Sequence, residues 1–210
     1  MMLRLYAIPI SLYCAKLRIL LRHKNLEWEE IPPPGGYGSQ EYKSIVPAGS
    51  LPALDHDGLL LGDSEAIAEY LNEAFPNPDM LPSTVQQRAK IRELSRFHDT
   101  RLEPSVRALF PQIATQSRDQ GIVDANWQAM LLRLDQITPL LPSQSGPLTI
   151  ADCGIPITCA WIDALSSHFG IANPMTEAMT DYLDRISTHD SVAAELADYT
   201  PKLKAWLDQQ

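Results

Sequence analysis

Polar and apolar positions alternate at the start of the chain and then change period. Leu3, Leu5 and Ala7 alternate with Arg4 and Tyr6, the period-2 pattern of a half-buried strand, and Pro9 closes it. Tyr13, Leu17, Leu20 and Leu21 follow at helical spacing, with Lys16, Arg18 and Arg22 filling the other face. Leu26 to Ile31 alternates again and predicts a second strand, and Pro32 to Gly38 is a loop by composition. Leu51-Pro52-Ala53-Leu54 resumes extended structure, His56-Asp57-Gly58 is a hairpin signal, and Leu59 to Leu61 is the returning strand. Asp63-Ser64 stands where a helix N-cap belongs, and Ile67, Tyr70 and Leu71 give that helix a buried face. Residues 1–80 therefore read β-α-β-(α)-β-β-α.

Residues 75–82 break this pattern, with Pro76, Pro78 and Pro82 making a stiff linker. Beyond them helical periodicity runs over about 85–110, 123–141, 150–169 and 174–189, with shorter helical pieces near the end. Pro104 is expected to kink or split the first of these helices. Thr149-Ile150-Ala151-Asp152 has the form of a capping box, with Asp in place of Glu. The expected architecture is an α/β N-terminal domain followed by an all-α helical bundle. The divisions fall at 1–80, a linker at 81–87, and 88–210.

With 45% hydrophobic and 20% charged residues in 210, the chain can bury a sizeable core. A net charge of −9 argues against nucleic-acid binding, which needs a basic face. Cys14, Cys153 and Cys159 show neither metal-ligand spacing nor a disulfide framework, so no metal is expected. Arg4, Lys16 and Arg18 interrupt the apolar N-terminal run, and no stretch approaches membrane-spanning length. A reduced, cytoplasmic setting with no membrane partner is the expectation.

The chemistry begins at Ser11-Leu12-Tyr13-Cys14, a Cys-x-x-Cys spacing with serine in the first position. A hydroxyl at a helix N-terminus is a poor redox group and a good donor to an anion supplied by a ligand. Leu51-Pro52 before a strand and Asp63-Ser64 at another helix start follow in order. At these residues the chain resembles the cytosolic glutathione transferases of serine type. The resemblance covers nearly the whole chain: thioredoxin-like half, proline-rich linker, helical half, and the Thr149–Asp152 capping box.

The resemblance implies that Ser11 donates a hydrogen bond to the sulfur of glutathione, the co-substrate, whose thiolate attacks a small hydrophobic electrophile. Lowering a thiol pKa by roughly two units requires about 2.7 kcal/mol. A charge-assisted hydrogen bond supplies ~1.5–3 kcal/mol and a helix N-terminus ~0.3–1 kcal/mol, which suffices without a general base. It implies further that Pro52 is cis and that the Leu51 main chain pairs with the cysteinyl backbone of glutathione. Ser64 would bind the γ-glutamyl carboxylate, and Asp63 would meet its ammonium group. The expected role is detoxification, and the expected state is a homodimer.

Alternatives stand beside each assignment. Ser11 and Asp63-Ser64 also read as plain caps, and Asp152 reads as a cap. Tyr6 is the rival hydroxyl, although its place in the alternation suits a packed strand residue. Cys14, one turn into the helix, reads as small and buried, against a thiol reductase role. Tyr13 fits either the core or the electrophile site. Arg96, His98, Asp99 and Arg101 read as a solvated face or an interface, or as a helix overhanging the thiol site. Phe97, Phe110 and Trp161 read as core, or as walls of an electrophile pocket.

The chain also departs from its relatives. The zeta class, with its maleylacetoacetate isomerases, carries Ser-Ser-Cys near the first helix, and only Ser11 survives here. That class places an arginine after the capping box, whereas Asp152 to Leu165 contains no basic residue. Ser50 and Glu65 replace basic or amide residues beside the expected ligand and predict weak glutathione affinity. A non-catalytic glutathione-binding protein of the same fold and a glutathione-dependent isomerase are therefore kept as alternatives.

Overall fold

The computed structural model describes residues 2–210. Four short strands, β1 (Leu3–Tyr6), β2 (Trp28–Ile31), β3 (Ala53–His56) and β4 (Leu59–Leu61), form one mixed sheet in the order β2-β1-β3-β4. β1 runs parallel to β2 and antiparallel to β3, and β4 pairs antiparallel with β3. The parallel pair needs a long crossover, which is α1 (Leu12–His23). Asp57 and Gly58 carry the positive φ angles, 50° and 95°, that a tight hairpin between β3 and β4 requires. A single turn, α2 (Gln40–Lys43), and α3 (Ser64–Ala74) complete this half.

The second half is helical: α4 (Val85–Phe97), α5 (Glu103–Arg107), α6 (Gln120–Ile137), α7 (Ile155–Phe169), α8 (Glu177–Ile186) and α9 (Asp190–Leu207). Thr149 and Asp152 form the capping box at a 3-10 turn that leads into α7. Thr149 donates to Asp152 Oδ2 from both N–H (2.8 Å) and Oγ1 (2.6 Å), and Tyr182 holds Oδ1 at 2.6 Å.

Two expectations are corrected. The chain end holds one 18-residue helix, α9, instead of shorter pieces. Pro201 lies inside it on the exposed face, as does Ala197 four residues earlier, so the carbonyl that Pro201 cannot pair meets water. As expected, the first helix is split near Pro104, by a π-helical turn over His98–Leu102 between α4 and α5. Lys16 and Arg18, placed on a polar face by periodicity, are only 1% and 6% exposed. The face of α1 that looks solvent-directed in sequence is covered by the helical half, because α1 packs on α3, α7 and α9 together.

Candidate active site

Ser11 caps α1. Its Oγ accepts the Cys14 N–H at 3.3 Å, and its carbonyl accepts that of Ala15 at 3.0 Å. The hydroxyl proton is left free, and accepting a backbone N–H makes that proton a better donor. The loop that delivers Ser11 is held by its carbonyls. Arg18 donates to the oxygens of Ile8 and Pro9, both at 3.3 Å, and Tyr199 donates to that of Ile10 at 2.7 Å.

Leu51-Pro52 is a cis peptide. Tyr42, fully buried, donates to the Ser50 carbonyl at 2.9 Å and fixes the turn before it. The β3 ladder begins only at Ala53 opposite Tyr6, so the Leu51 main chain lies outside the sheet pairing. At α3 the Asp63 Oδ1 accepts from Glu65 N (3.0 Å) and Ala66 N (2.9 Å), and the Asp63 carbonyl accepts from Ile67 N (2.9 Å). This cap does not reach the Ser64 N–H, nor does it use the second carboxylate oxygen of Asp63.

Two cavities meet at Leu51. One, of about 210 Å³, is polar and is lined by Leu51, Asp63 and Ser64 with Tyr13 and Arg96. The other, of about 170 Å³, holds Ser11 and Leu51 against Phe110, Trp161, Trp206 and Arg107. Leu51 borders both, with Ser11 in the apolar cavity and Asp63 and Ser64 in the polar one. Tyr6 lines neither cavity and packs instead against the Tyr42 ring at 5.6 Å between centroids. A larger cavity, about 550 Å³, lies elsewhere, between Pro82, Ile91, Pro142 and Arg185. Thr149 and Asp152 of the capping box line it, but none of Ser11, Leu51, Pro52, Asp63 and Ser64 does, so its size does not make it the reaction site.

Beneath the polar cavity lies a buried ionic chain. Lys16 Nζ is 2.7 Å from both Glu65 Oε2 and Asp99 Oδ2. Asp99 Oδ1 meets His98 Nδ1 at 2.8 Å, and His98 Nε2 meets Thr158 Oγ1 at 2.7 Å. Burial alone would raise the Asp99 carboxyl; the His98 hydrogen bond and the Lys16 charge outweigh it and hold the pKa at about 2. Tyr13 Oη lies 3.0 Å from Glu103 Oε2 and 3.1 Å from the Asp99 carbonyl. In the π-helical register that carbonyl would pair with residue 104, and Pro104 has no N–H to offer. The single Tyr13 proton has the Glu103 carboxylate as its shorter acceptor and the Asp99 carbonyl as its second.

Several expectations change here. Glu65 does not strip positive charge from the polar cavity, because it turns inward to Lys16, while Arg96 enters that cavity from α4. His98 and the Asp99 side chain are turned inward and not onto a solvated face, whereas Arg101 is exposed, its guanidinium 5.9 Å from the Phe97 ring centre. Phe110 and Trp161 stack at 4.4 Å and wall the apolar cavity as well as joining the core. Tyr13 lines the polar cavity and not the apolar one. Cys14 is fully buried, and burial pushes its thiol up. Sequence reasoning missed Lys16, Arg107 and Trp206. Only Arg107 left a signal, four residues after Glu103 on one helix face, where it pairs with that carboxylate.

No described helix is long and apolar enough to cross a membrane, and no described cluster of His, Cys, Asp or Glu has metal-site geometry.

A mixed four-stranded sheet with a cis-proline before its third strand, joined to a helical bundle that helps line both cavities, is the glutathione transferase fold. Residues 5–79 match the family profile "Glutathione S-transferase, N-terminal domain". A maleylacetoacetate isomerase of Rattus norvegicus is 35% identical over 94 residues, 42% of this chain and 44% of that protein. The match thus spans less than half of that relative's length. A stringent starvation protein A homolog of Pasteurella multocida is 26% identical over 94% of this chain and 92% of its own. A delta-class glutathione transferase of Nilaparvata lugens superposes with a TM-score of 0.83 at 18% identity, covering 99% of both chains. Over residues 5–79 the chain is similar to the N-terminal domain of glutathione S-transferases, and over nearly its whole length it shares their fold.

Proposed function

We propose that the protein is a serine-type glutathione transferase that joins the glutathione thiol to a small hydrophobic electrophile. The observation that carries this reading is the Ser11 hydroxyl. It accepts a helix N–H, keeps its proton free, and lines the apolar cavity together with Leu51, which also borders the polar one. The Leu51 main chain would pair with the cysteinyl backbone of glutathione, Ser64 with the γ-glutamyl carboxylate, and Asp63 with the ammonium group, aided by Arg96. Ser11 then holds the thiol as thiolate, the thiolate attacks carbon in the apolar cavity, and the leaving group departs with its electron pair. A cytoplasmic homodimer with residues 81–87 as the interdomain linker completes the proposal.

The test is thioether formation from glutathione and a generic aromatic halide, with Ser11→Ala alongside the wild type. Full activity of Ser11→Ala at unchanged glutathione affinity would remove Ser11 from this role. Binding of glutathione without turnover on a broad electrophile panel would favour the non-catalytic reading.

Arg107 favours a second reading. It brings a guanidinium into the apolar cavity from α5, although the helix after the capping box has none. A substrate with a carboxylate, as in a glutathione-dependent isomerase, would find its counter-charge there. Isomerisation of a maleyl-type substrate, lost in Arg107→Leu, distinguishes this activity from transfer.

A further inference from the structure

Ser11 is approached from the far end of the chain. Trp161 on α7 and Tyr199 on α9 are 2% and 1% exposed, so each must satisfy its single polar group internally. Trp161 Nε1 lies 2.8 Å from Tyr199 Oη, and Tyr199 Oη lies 2.7 Å from the Ile10 carbonyl. The proton order is forced. An indole N–H only donates, so Tyr199 accepts from it and must spend its own proton on Ile10. Ile10 immediately precedes Ser11, and the Tyr199 bond is the shortest of those holding the carbonyls of residues 8–10. At the other end, Trp161 stacks on Phe110 at 4.4 Å, meets Trp206 edge-on at 5.9 Å, and walls the cavity into which Ser11 faces.

We propose that Tyr199 and Trp161 are positioning residues for Ser11, forming a hydrogen-bonded strut from the aromatic wall of the apolar cavity to the Ile10 carbonyl. The inference rests on the reading of Ser11 as the thiolate's donor. The strut fixes the peptide plane that orients the Ser11 Oγ, so the helical half sets the geometry of a nucleophile site carried by the sheet half. Neither residue lines the polar cavity assigned to the tripeptide. Their contribution is the placement of one hydroxyl, and it is read in the ionisation of the thiol and not in the affinity for the tripeptide.

The thiolate absorbance of the glutathione complex is titrated with pH in the wild type, Tyr199→Phe, Trp161→Phe and Tyr182→Phe, with calorimetric glutathione affinity measured on each. Tyr199→Phe keeps the ring and deletes the bond to Ile10. Its titration is expected to move to higher pH by about half a unit or more, the scale of one net hydrogen bond, at nearly unchanged affinity. Trp161→Phe should move it less in the same direction. Tyr182→Phe removes another buried hydroxyl, one bonded to Asp152, and should match the wild type. Coincidence of Tyr199→Phe and Trp161→Phe with the wild type overturns the strut, as does an equal shift in Tyr182→Phe. If Tyr199→Phe does not fold, the Trp161→Phe titration decides alone. A wild type that binds no glutathione, or binds it with an unshifted thiol, overturns the reading of Ser11 and the strut with it.

Discussion

Lys16 Nζ lies 2.7 Å from Asp99 Oδ2, although the two residues are 83 positions apart and sit on α1 and on the π-helical turn after α4. The same ammonium reaches Glu65 on α3 at 2.7 Å, so one cation ties the sheet half to the helical half between two carboxylates. Removing one partner of a buried ion pair costs far more than the pair contributes, because the remaining charge stays buried. Lys16→Met leaves Glu65 and Asp99 facing each other without a counter-ion. It is expected to lower stability by roughly 3–5 kcal/mol, read from urea unfolding of the full chain.

The same contact gives stability a direction with pH. The Asp99 pKa lies at about 2 when folded, below the ordinary aspartate value. Its contribution is complete above the unfolded pKa and is lost as pH falls from about 4 through the folded value. Asp99→Asn removes this dependence. The thermal midpoint followed between pH 5 and pH 2 should fall less steeply in the variant than in the wild type.

Ser11 carries two roles that substitutions separate. Ser11→Ala loses both the cap of α1 and the thiolate donor, with a stability loss of about 0.5–2 kcal/mol and loss of transferase activity. Ser11→Asp restores a capping oxygen but offers no proton at neutral pH and repels a thiolate. It is expected to recover stability and remain inactive in the halide assay. Recovery of both together would assign Ser11 to the cap alone.

Ser64 offers a hydroxyl and an uncapped N–H at the start of α3, beside Arg96. Ser64→Ala is expected to weaken glutathione binding by about tenfold or more, the scale of one hydrogen bond to a charged group, with little change in the turnover of bound glutathione. Calorimetry combined with saturation kinetics separates the two effects.

Cys14, Cys153 and Cys159 are all buried, and burial raises each thiol, that of Cys159 to about 12. A buried, protonated thiol is a poor nucleophile. Mass spectrometry after brief alkylation should find all three unmodified in the native protein and all three modified after unfolding. Cys14→Ser should keep transferase activity, against a thiol reductase role for Cys14.

Local signals carried much of this protein. Alternation at Leu3–Ala7, the Asp57-Gly58 turn, the caps at Ser11 and Asp63 and the box at Thr149–Asp152 each depend on residues a few positions apart, and each stands in the structure where the sequence placed it. The order of Ser11, Leu51-Pro52 and Asp63-Ser64 was enough to point to the family. Periodicity reports that a helix has an apolar face but not what covers the opposite one. Lys16 and Arg18 therefore looked solvent-exposed until α7 and α9 closed over α1. Arg107 and Trp206 enter the apolar cavity from elements far apart in the chain, and Tyr13 meets the Asp99 carbonyl and the Glu103 carboxylate 86 and 90 positions away. Secondary structure and caps follow from neighbours in sequence; charge pairing, cavity walls and the support of Ser11 follow from which faces meet in space, and tertiary packing alone decided those.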